Sequence, residues 1–134
     1  MAPNLMLEIK VIRNFVPEES QDRYIQFLSS IKTRDKFVAE LHRLPYKEEA
    51  FEAVTGDEST LVFSKLQASG IDDKTCYIIS EDTATDTEVL PISEALSTVA
   101  NSGMTAIVVF GRGEMIYVKK EGLKEGLISK QRSG

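Results

Sequence analysis

Apolar residues in the first half of the chain recur at spacings of three and four, which predicts helices. Residues 17–31 show this period after a proline and two acids that suit the first turn of a helix. Residues 33–44 repeat it, with Thr33 as the predicted N-cap. We predict one helix in each segment and a shorter third helix over residues 46–54.

Three other segments are less clear. In residues 5–16, apolar positions alternate with charged ones as in a half-buried strand, although a helical spacing also fits. We interpret this segment as a strand. Residues 59–68 fit either a helix or a strand, and we favour the helix. The tail from about residue 121 is expected to form a short helix or to fray.

The second half carries the pattern of a small sheet with one helix. Residues 75–80 are rich in β-formers, and residues 91–101 carry a helical apolar stripe between Pro91 and Gly103. Residues 105–110 are apolar on both faces, which predicts an inner strand paired with a neighbour on each side. A turn with two glycines joins it to residues 115–119 as a hairpin.

These elements predict an α+β or mixed α/β fold for residues 1–134 as a single globular domain. A single layer of helices is expected to cover a small mixed sheet that includes a β-α-β-hairpin unit in the C-terminal half. The chain has 134 residues, of which 42% are hydrophobic, so it can bury one core of ordinary size. No repeat, linker or low-complexity tract marks a domain boundary.

Composition narrows the class of protein. The formal net charge of -5 argues against nucleic acid as a partner, because such proteins concentrate lysine and arginine on one face. No apolar run is long enough for a membrane span, so no membrane association is expected. The single cysteine, Cys76, has no partner for an intrachain disulfide and suits a reducing compartment. We therefore expect a cytoplasmic protein.

The predicted topology brings charged residues together. If strands 75–80 and 105–110 are parallel neighbours, Glu81 and Asp82 lie at the same end of the sheet as Arg112. Ligands of open α/β sheets bind at that end. Glu81, Asp82 and Arg112 are therefore the candidate ligand-binding residues.

The stretch after the first of these strands, residues 81–88, is acidic and is called the acidic loop below. Its four carboxylates are Glu81, Asp82, Asp86 and Glu88. They could bind a hard divalent ion, supply a general base beside Arg112, or face a basic partner. The glycine and glutamate of a calcium-binding loop are absent, however, and acids with threonines are typical of solvated turns. We adopt the solvated loop and predict no metal site.

Other reactive residues have structural interpretations. His42 is the sole histidine and is expected to be half-buried on its helix. Cys76 alternates with apolar strand positions and is expected in the core. Gly111 and Gly113 suit a hairpin turn and lack the rest of a phosphate-loop motif. No cofactor is predicted.

The charges are unevenly distributed along the chain. Residues 48–58 and the acidic loop contain acids and no bases, whereas residues 119–132 contain five bases and two acids. Such asymmetry suits capture of a basic protein partner, or self-association. The predicted partner surface consists of Glu48, Glu49, Glu52, Asp86 and Glu88.

The sequence thus favours a small cytoplasmic, non-catalytic interaction or regulatory protein that binds its partner through acidic surfaces. The alternative is a small enzyme or a domain that binds an anionic ligand at the end of the sheet, near Glu81, Asp82 and Arg112.

Overall fold

The computed structural model describes residues 3–54, 58–121 and 126–130. Within these ranges the chain forms an α+β domain in which helices pack on an open sheet. The helices are α1 (Leu5–Phe15), α2 (Glu18–Phe27), α3 (Ile31–Ala39), α4 (Glu58–Ala68) and α5 (Ile92–Ser102). The strands are β1 (Phe51–Val54), β2 (Thr75–Ser80), β3 (Val89–Pro91), β4 (Ala106–Phe110), β5 (Met115–Lys119) and β6 (Gly126–Ser129).

The six strands form one sheet in the order β1-β6-β5-β4-β2-β3. Strand β4 pairs with both β2 and β5, so the prediction of an inner strand at residues 105–110 is confirmed. Its five residues are all buried, as a strand covered on both faces requires. The helix favoured for residues 59–68 is also confirmed as α4.

Helices cover both faces of the sheet, so the prediction of a single helical layer is wrong. Helices α1, α2 and α3 share one core with the odd-numbered residues of β2, such as Tyr77 and Ile79. Helices α4 and α5 share a second core with the even-numbered residues Cys76 and Ile78. Because successive strand residues point to opposite faces, the apolar runs of the inner strands supply both cores.

The strand interpretation of residues 5–16 is wrong, because this segment forms α1. The Asn4 side chain accepts the N–H of Leu7 at 3.1 Å and caps the helix. The buried residues of α1 repeat at helical spacing, and they are Glu8, Val11, Ile12 and Phe15. In the predicted strand, the alternation of apolar and charged residues would have put Glu8 on the solvent face. In α1 the Glu8 side chain is buried.

The helices that follow differ from the prediction in their bounds. Ser30, rather than Thr33, is the N-cap of α3 and accepts the Thr33 N–H at 3.2 Å. The third helix predicted over residues 46–54 is absent from this described segment. A short 3-10 turn at Glu48–Ala50 leads instead into β1.

The parallel pairing of residues 75–80 with residues 105–110 is wrong, because β2 and β4 are antiparallel. All described strand pairs are antiparallel, so the sheet is not mixed. The short strand β3 explains the difference. After β2 the chain reverses and forms β3 beside it, before α5 begins. Helix α5 then connects β3 to β4, and these two strands lie on opposite sides of β2.

The sequence suggested a short helix or a frayed tail beyond residue 121, but residues 126–130 contain a strand, and residues 122–125 and 131–134 lie outside the described residues. Residues Gly126–Ser129 form β6, which pairs with β1 and β5 and completes the sheet. None of the helices in the described ranges combines the length and the apolar character that crossing a bilayer requires.

Candidate functional site

The acidic loop is bound to the helices through Asp86. Arg34 of α3 donates from Nη1 to Asp86 Oδ2 over 2.7 Å and from Nη2 to Asp86 Oδ1 over 3.1 Å. The backbone N–H of Ser80 donates to the same Oδ1 at 3.1 Å. The Asp86 carboxylate therefore fixes the loop against the end of β2.

The other edge of the Arg34 guanidinium binds Glu8 of α1. Arg34 Nε donates to Glu8 Oε1 at 2.9 Å, and Nη2 donates to Oε2 at 2.7 Å. The Tyr77 hydroxyl donates to Glu8 Oε2 at 2.6 Å and accepts the N–H of Asn4 at 3.0 Å. We call Glu8, Arg34, Tyr77 and Asp86 the Arg34 network, which joins α1, α3, β2 and the acidic loop.

The electrostatics of the network favour its present protonation state. Burial lowers the pKa of the Arg34 guanidinium, but the hydrogen bonds and charges of Glu8 and Asp86 outweigh it and raise that pKa above its ordinary value. Burial and the bond to Glu8 raise the pKa of Tyr77, which keeps its hydroxyl a donor.

The Arg34 network is closed to a ligand, because its charged groups are bonded to one another. Arg34 is 4% exposed and Glu8 is 1% exposed. A substrate would have to break these bonds to reach either group, at a high cost in free energy. We therefore interpret the network as a structural link, which removes Asp86 from the predicted partner surface.

Glu81 and Asp82, two predicted ligand-binding residues, bind other residues of the chain. Glu81 Oε2 lies 2.9 Å from His42 Nδ1, while Glu81 Oε1 is buried and has no hydrogen-bond partner among the described residues. Asp82 Oδ1 accepts the N–H of Ala84 at 3.0 Å, as in turns where a side chain replaces a backbone acceptor. The loop is thus held by Arg34 and His42 from outside it and by the Asp82 turn within it.

His42 is more exposed than we predicted, since its side chain is 45% accessible. The physical reason is that α3 ends at Ala39 and His42 lies in a 3-10 turn, Leu41–Arg43. The change of helix type rotates His42 away from the buried side of α3, where a continuous helix would have placed it.

Glu88, a predicted partner-surface residue, is half-buried where the acidic loop enters β3. Its carbonyl accepts the N–H of Ile78 at 3.0 Å. The preceding residue, Thr87, has a φ of 69°, a left-handed conformation that β-branched residues rarely adopt. The Thr87 N–H donates to the Ile78 carbonyl at 2.8 Å and fixes this turn.

Arg112 does not meet Glu81 and Asp82, because the antiparallel pairing puts it at the other end of the sheet. Ser80 pairs with Ala106, and the chain then runs through β4 to Phe110 before the turn that holds Arg112. Four residues of strand span about 13 Å. The Arg112 backbone N–H donates to Glu114 Oε1 at 2.6 Å within the hairpin turn.

Glu48, Glu49 and Glu52 lie at the opposite edge of the sheet from the acidic loop. They surround the start of β1, which is one outer strand, whereas β3 is the other. Glu52 forms an ion pair with Lys65 of α4. The five residues of the predicted partner surface therefore do not form one surface.

Glu48 and Glu49 line a cleft together with Glu18 and Glu19 at the start of α2. The cleft has a volume of about 450 Å³, and Lys47 is the one base in its described lining. Within the described part of the chain, none of these four glutamates forms an ion pair. We call this feature the acidic cleft.

An apolar pocket of about 410 Å³ adjoins the acidic cleft and shares Tyr46 and Glu48 with it. Its apolar lining consists of Leu44, Pro45, Tyr46, Phe51, Ala53 and Leu127, and its charged lining residues are Glu48, Glu52 and Lys120. The Tyr46 hydroxyl is buried and has no hydrogen-bond partner among the described residues. Burial and the nearby Tyr24 raise the pKa of Tyr46, so the hydroxyl remains a potential donor.

A third cavity, of about 570 Å³, lies between the end of α4 and the start of α5. Phe63, Leu66 and Ile71 form an apolar wall, and the lining contains none of the residues predicted for a site. Cys76 lies in the adjacent core at 4% exposure, which confirms its predicted position. Burial raises the pKa of its thiol to about 12.

Among the described residues, no three side chains of histidine, cysteine, aspartate or glutamate are grouped as a metal ion would require. No protein family model matches this chain, and neither a curated protein nor a solved structure matches it. Its function must therefore be inferred from the chemistry of its sites.

Half of the acidic cleft was not predicted from the sequence. The charges of Glu18 and Glu19 were interpreted only as the start of a helix, and Tyr46 was given no role. Two adjacent acids after Pro17 were a weak signal, because acids are common in the first turn of any helix. The components of the cleft are about 30 residues apart in the chain, so only the fold brings them together.

Proposed function

We propose that the protein is a small, cytoplasmic, non-catalytic binding module whose acidic cleft holds a basic segment of a partner protein. The observation that carries this proposal is the convergence of Glu18, Glu19, Glu48 and Glu49 on one cleft without ion-pair partners in the described chain. Two separate segments supply these carboxylates, so the arrangement depends on the tertiary fold.

The physical basis is electrostatic. Four like charges along a concave surface produce a local negative potential, which attracts lysine and arginine and raises the rate of association. A basic partner would neutralise charges that otherwise repel one another. The formal net charge of -5 likewise favours a positively charged partner.

The positions of the reactive side chains support a role without catalysis. Cys76 is buried, with its pKa raised to about 12, and is a poor nucleophile. His42 lies beside Glu81, away from the acidic cleft. A buried lone thiol also suits the reducing cytoplasm.

Fluorescence anisotropy with a labelled lysine-rich peptide in a glycine and serine background tests the proposal. The cleft variant carries Glu18→Gln, Glu19→Gln, Glu48→Gln and Glu49→Gln. Each exposed ion pair contributes about 0.4 kcal/mol, so the loss of four should weaken binding about fifteenfold. The difference should shrink as salt is added.

The matched control removes four exposed acids elsewhere and carries Asp35→Asn, Asp72→Asn, Asp73→Asn and Glu94→Gln. It has the same net charge as the cleft variant and should bind the peptide within about threefold of the natural protein. Equal losses in the two variants would contradict a specific cleft and leave only a general effect of net charge. Absence of peptide binding to the natural protein would contradict the proposal outright.

A further inference from the structure

The outer strand β1 borders both the acidic cleft and the apolar pocket, and one of its edges is open. It is the terminal strand of the sheet and pairs only with β6 among the described residues. Ala53, in the middle of this edge, is exposed. An unpaired strand edge can bind another chain through backbone hydrogen bonds.

The register of β1 identifies the backbone groups at the open edge. The Lys130 N–H donates to the Ala50 carbonyl at 2.7 Å, so residues in phase with Ala50, such as Glu52, direct their backbone groups toward β6. Phe51 and Ala53 direct theirs outward. The Phe51 N–H already donates to the Glu48 carbonyl. Among the described residues, the Phe51 carbonyl and both backbone groups of Ala53 have no strand partner, so an added strand can bind them.

The other edge of the sheet is less suited to such an addition. The Ile78 N–H donates to the Glu88 carbonyl, so Leu90, in phase with Glu88, directs its backbone groups toward β2. The outward positions of β3 are therefore Val89 and Pro91. The proline has no N–H, and its ring occupies the space where another strand would approach. The acidic loop beside β3 is also held in place by the ion pair between Asp86 and Arg34 of α3.

The surroundings of β1 define the chemistry of the partner. Phe51 and Ala53 line the apolar pocket, so an apolar side chain of an added strand can enter it. Glu48 and Glu49 lie just before β1 and line the acidic cleft. These features complement an extended segment with apolar residues next to basic ones.

We propose that β1 accepts an extended segment of the basic partner protein as an additional strand, with an apolar side chain in the pocket and basic side chains in the acidic cleft. This inference rests on the proposed function and specifies how the partner binds. The added strand exchanges backbone hydrogen bonds with Ala53, while the glutamates select its charge.

The test uses a ten-residue peptide with a lysine-rich half and a half of alternating valine and threonine. Ala53→Pro removes the outward N–H of β1 but no hydrogen bond to β6, so the fold should be kept. This variant should bind the peptide at least about fivefold more weakly. It should bind a wholly lysine, glycine and serine peptide as the natural protein does.

A second arm leaves the protein unchanged. Two versions of the peptide carry backbone N-methyl groups, one on its odd-numbered residues and the other on its even-numbered residues. Only the version whose methyl groups face β1 should bind at least about tenfold more weakly than the parent peptide. This arm decides the question if Ala53→Pro does not fold. Equal binding of the parent and of both methylated peptides would overturn strand addition. In that case the double variant Glu48→Gln with Glu49→Gln is tested with the parent peptide. If it binds the peptide more weakly than the natural protein does, the acidic-cleft proposal survives. If it binds equally well, both proposals fail.

Discussion

Replacement of Arg34 by methionine should strongly destabilise the protein. The change keeps an unbranched side chain but removes four hydrogen bonds to Glu8 and Asp86. Glu8 would remain buried, at 1% exposure, with the Tyr77 hydroxyl as its one remaining donor in the network. Removing one partner of a buried ion pair costs about 3 to 5 kcal/mol, because the other charge is left unpaired.

Two further variants separate this explanation from a general loss of packing. The Asp86 side chain is 14% exposed, so water can compensate it in part and Asp86→Asn should cost only about 1 kcal/mol. The double variant Arg34→Met with Glu8→Met removes the unpaired charge together with its partner. Apolar replacement of a buried pair is often close to neutral, so the double variant should recover about 2 kcal/mol relative to Arg34→Met alone.

Urea unfolding followed by circular dichroism measures these free energies of unfolding. The expected order of stability places the natural protein above Asp86→Asn, and both above the double variant, with Arg34→Met last. A loss below about 1 kcal/mol for Arg34→Met would refute the account of the network. A double variant less stable than Arg34→Met would refute it as well, because the unpaired charge would then not be the cause.

Two other predictions concern the cores. Because burial raises the pKa of Cys76 from 9.0 to about 12, the contribution of its protonated thiol to stability is present below pH 9 and is lost as pH rises from 9 to about 12. Cys76→Ala should therefore flatten the plot of the free energy of unfolding against pH between pH 9 and about 12. A thiol reagent should label native Cys76 slowly, and rapid labelling would contradict its burial. A Cβ atom at position 126 would overlap the Tyr117 ring, so Gly126→Ala should lower the free energy of unfolding by about 1 to 3 kcal/mol. Gly103→Ala, which meets no atom within 4 Å but has a φ of 70°, should cost about 1 kcal/mol, and a larger loss there than at Gly126 would contradict the overlap.

The inner strands could be predicted from sequence because their pattern had one explanation. A run that is apolar on both faces, as in β4, indicates an inner strand, and β4 lies between β2 and β5. The same run also requires cover on both faces, which the predicted single layer of helices did not supply. Helix α1 was different, because its charges and apolar residues fit two periods. The decisive feature is the burial of Glu8 against Arg34, which is 26 residues away and leaves no local signal.

The error in strand direction arose from one short element. Residues 89–91 contain a valine, a leucine and a proline, which sequence patterns do not distinguish from the end of a loop. As β3 they reverse the chain before α5, and this reversal places Arg112 far from Glu81. The predicted shared site depended entirely on that direction.

The acidic cleft was only partly predictable, because a local window of sequence shows charges but does not show their partners. Charge counting identified Glu48 and Glu49, because consecutive acids are visible in a local window. It also selected Asp86, whose charge is used internally by Arg34. A local window cannot show whether a carboxylate is already paired, and this distinction separates the acidic cleft from the acidic loop.

Chemical-shift mapping of the isotope-labelled protein with the lysine-rich peptide tests the central claim most directly. The acidic loop is an internal control, because it also carries four carboxylates but holds Asp86 in the Arg34 network. We predict that amide shifts concentrate at residues 18–19 and 46–50, and that residues 81–88 change little. Shifts that concentrate in the acidic loop, or that spread evenly over exposed acids, would contradict the assignment of the acidic cleft as the binding site.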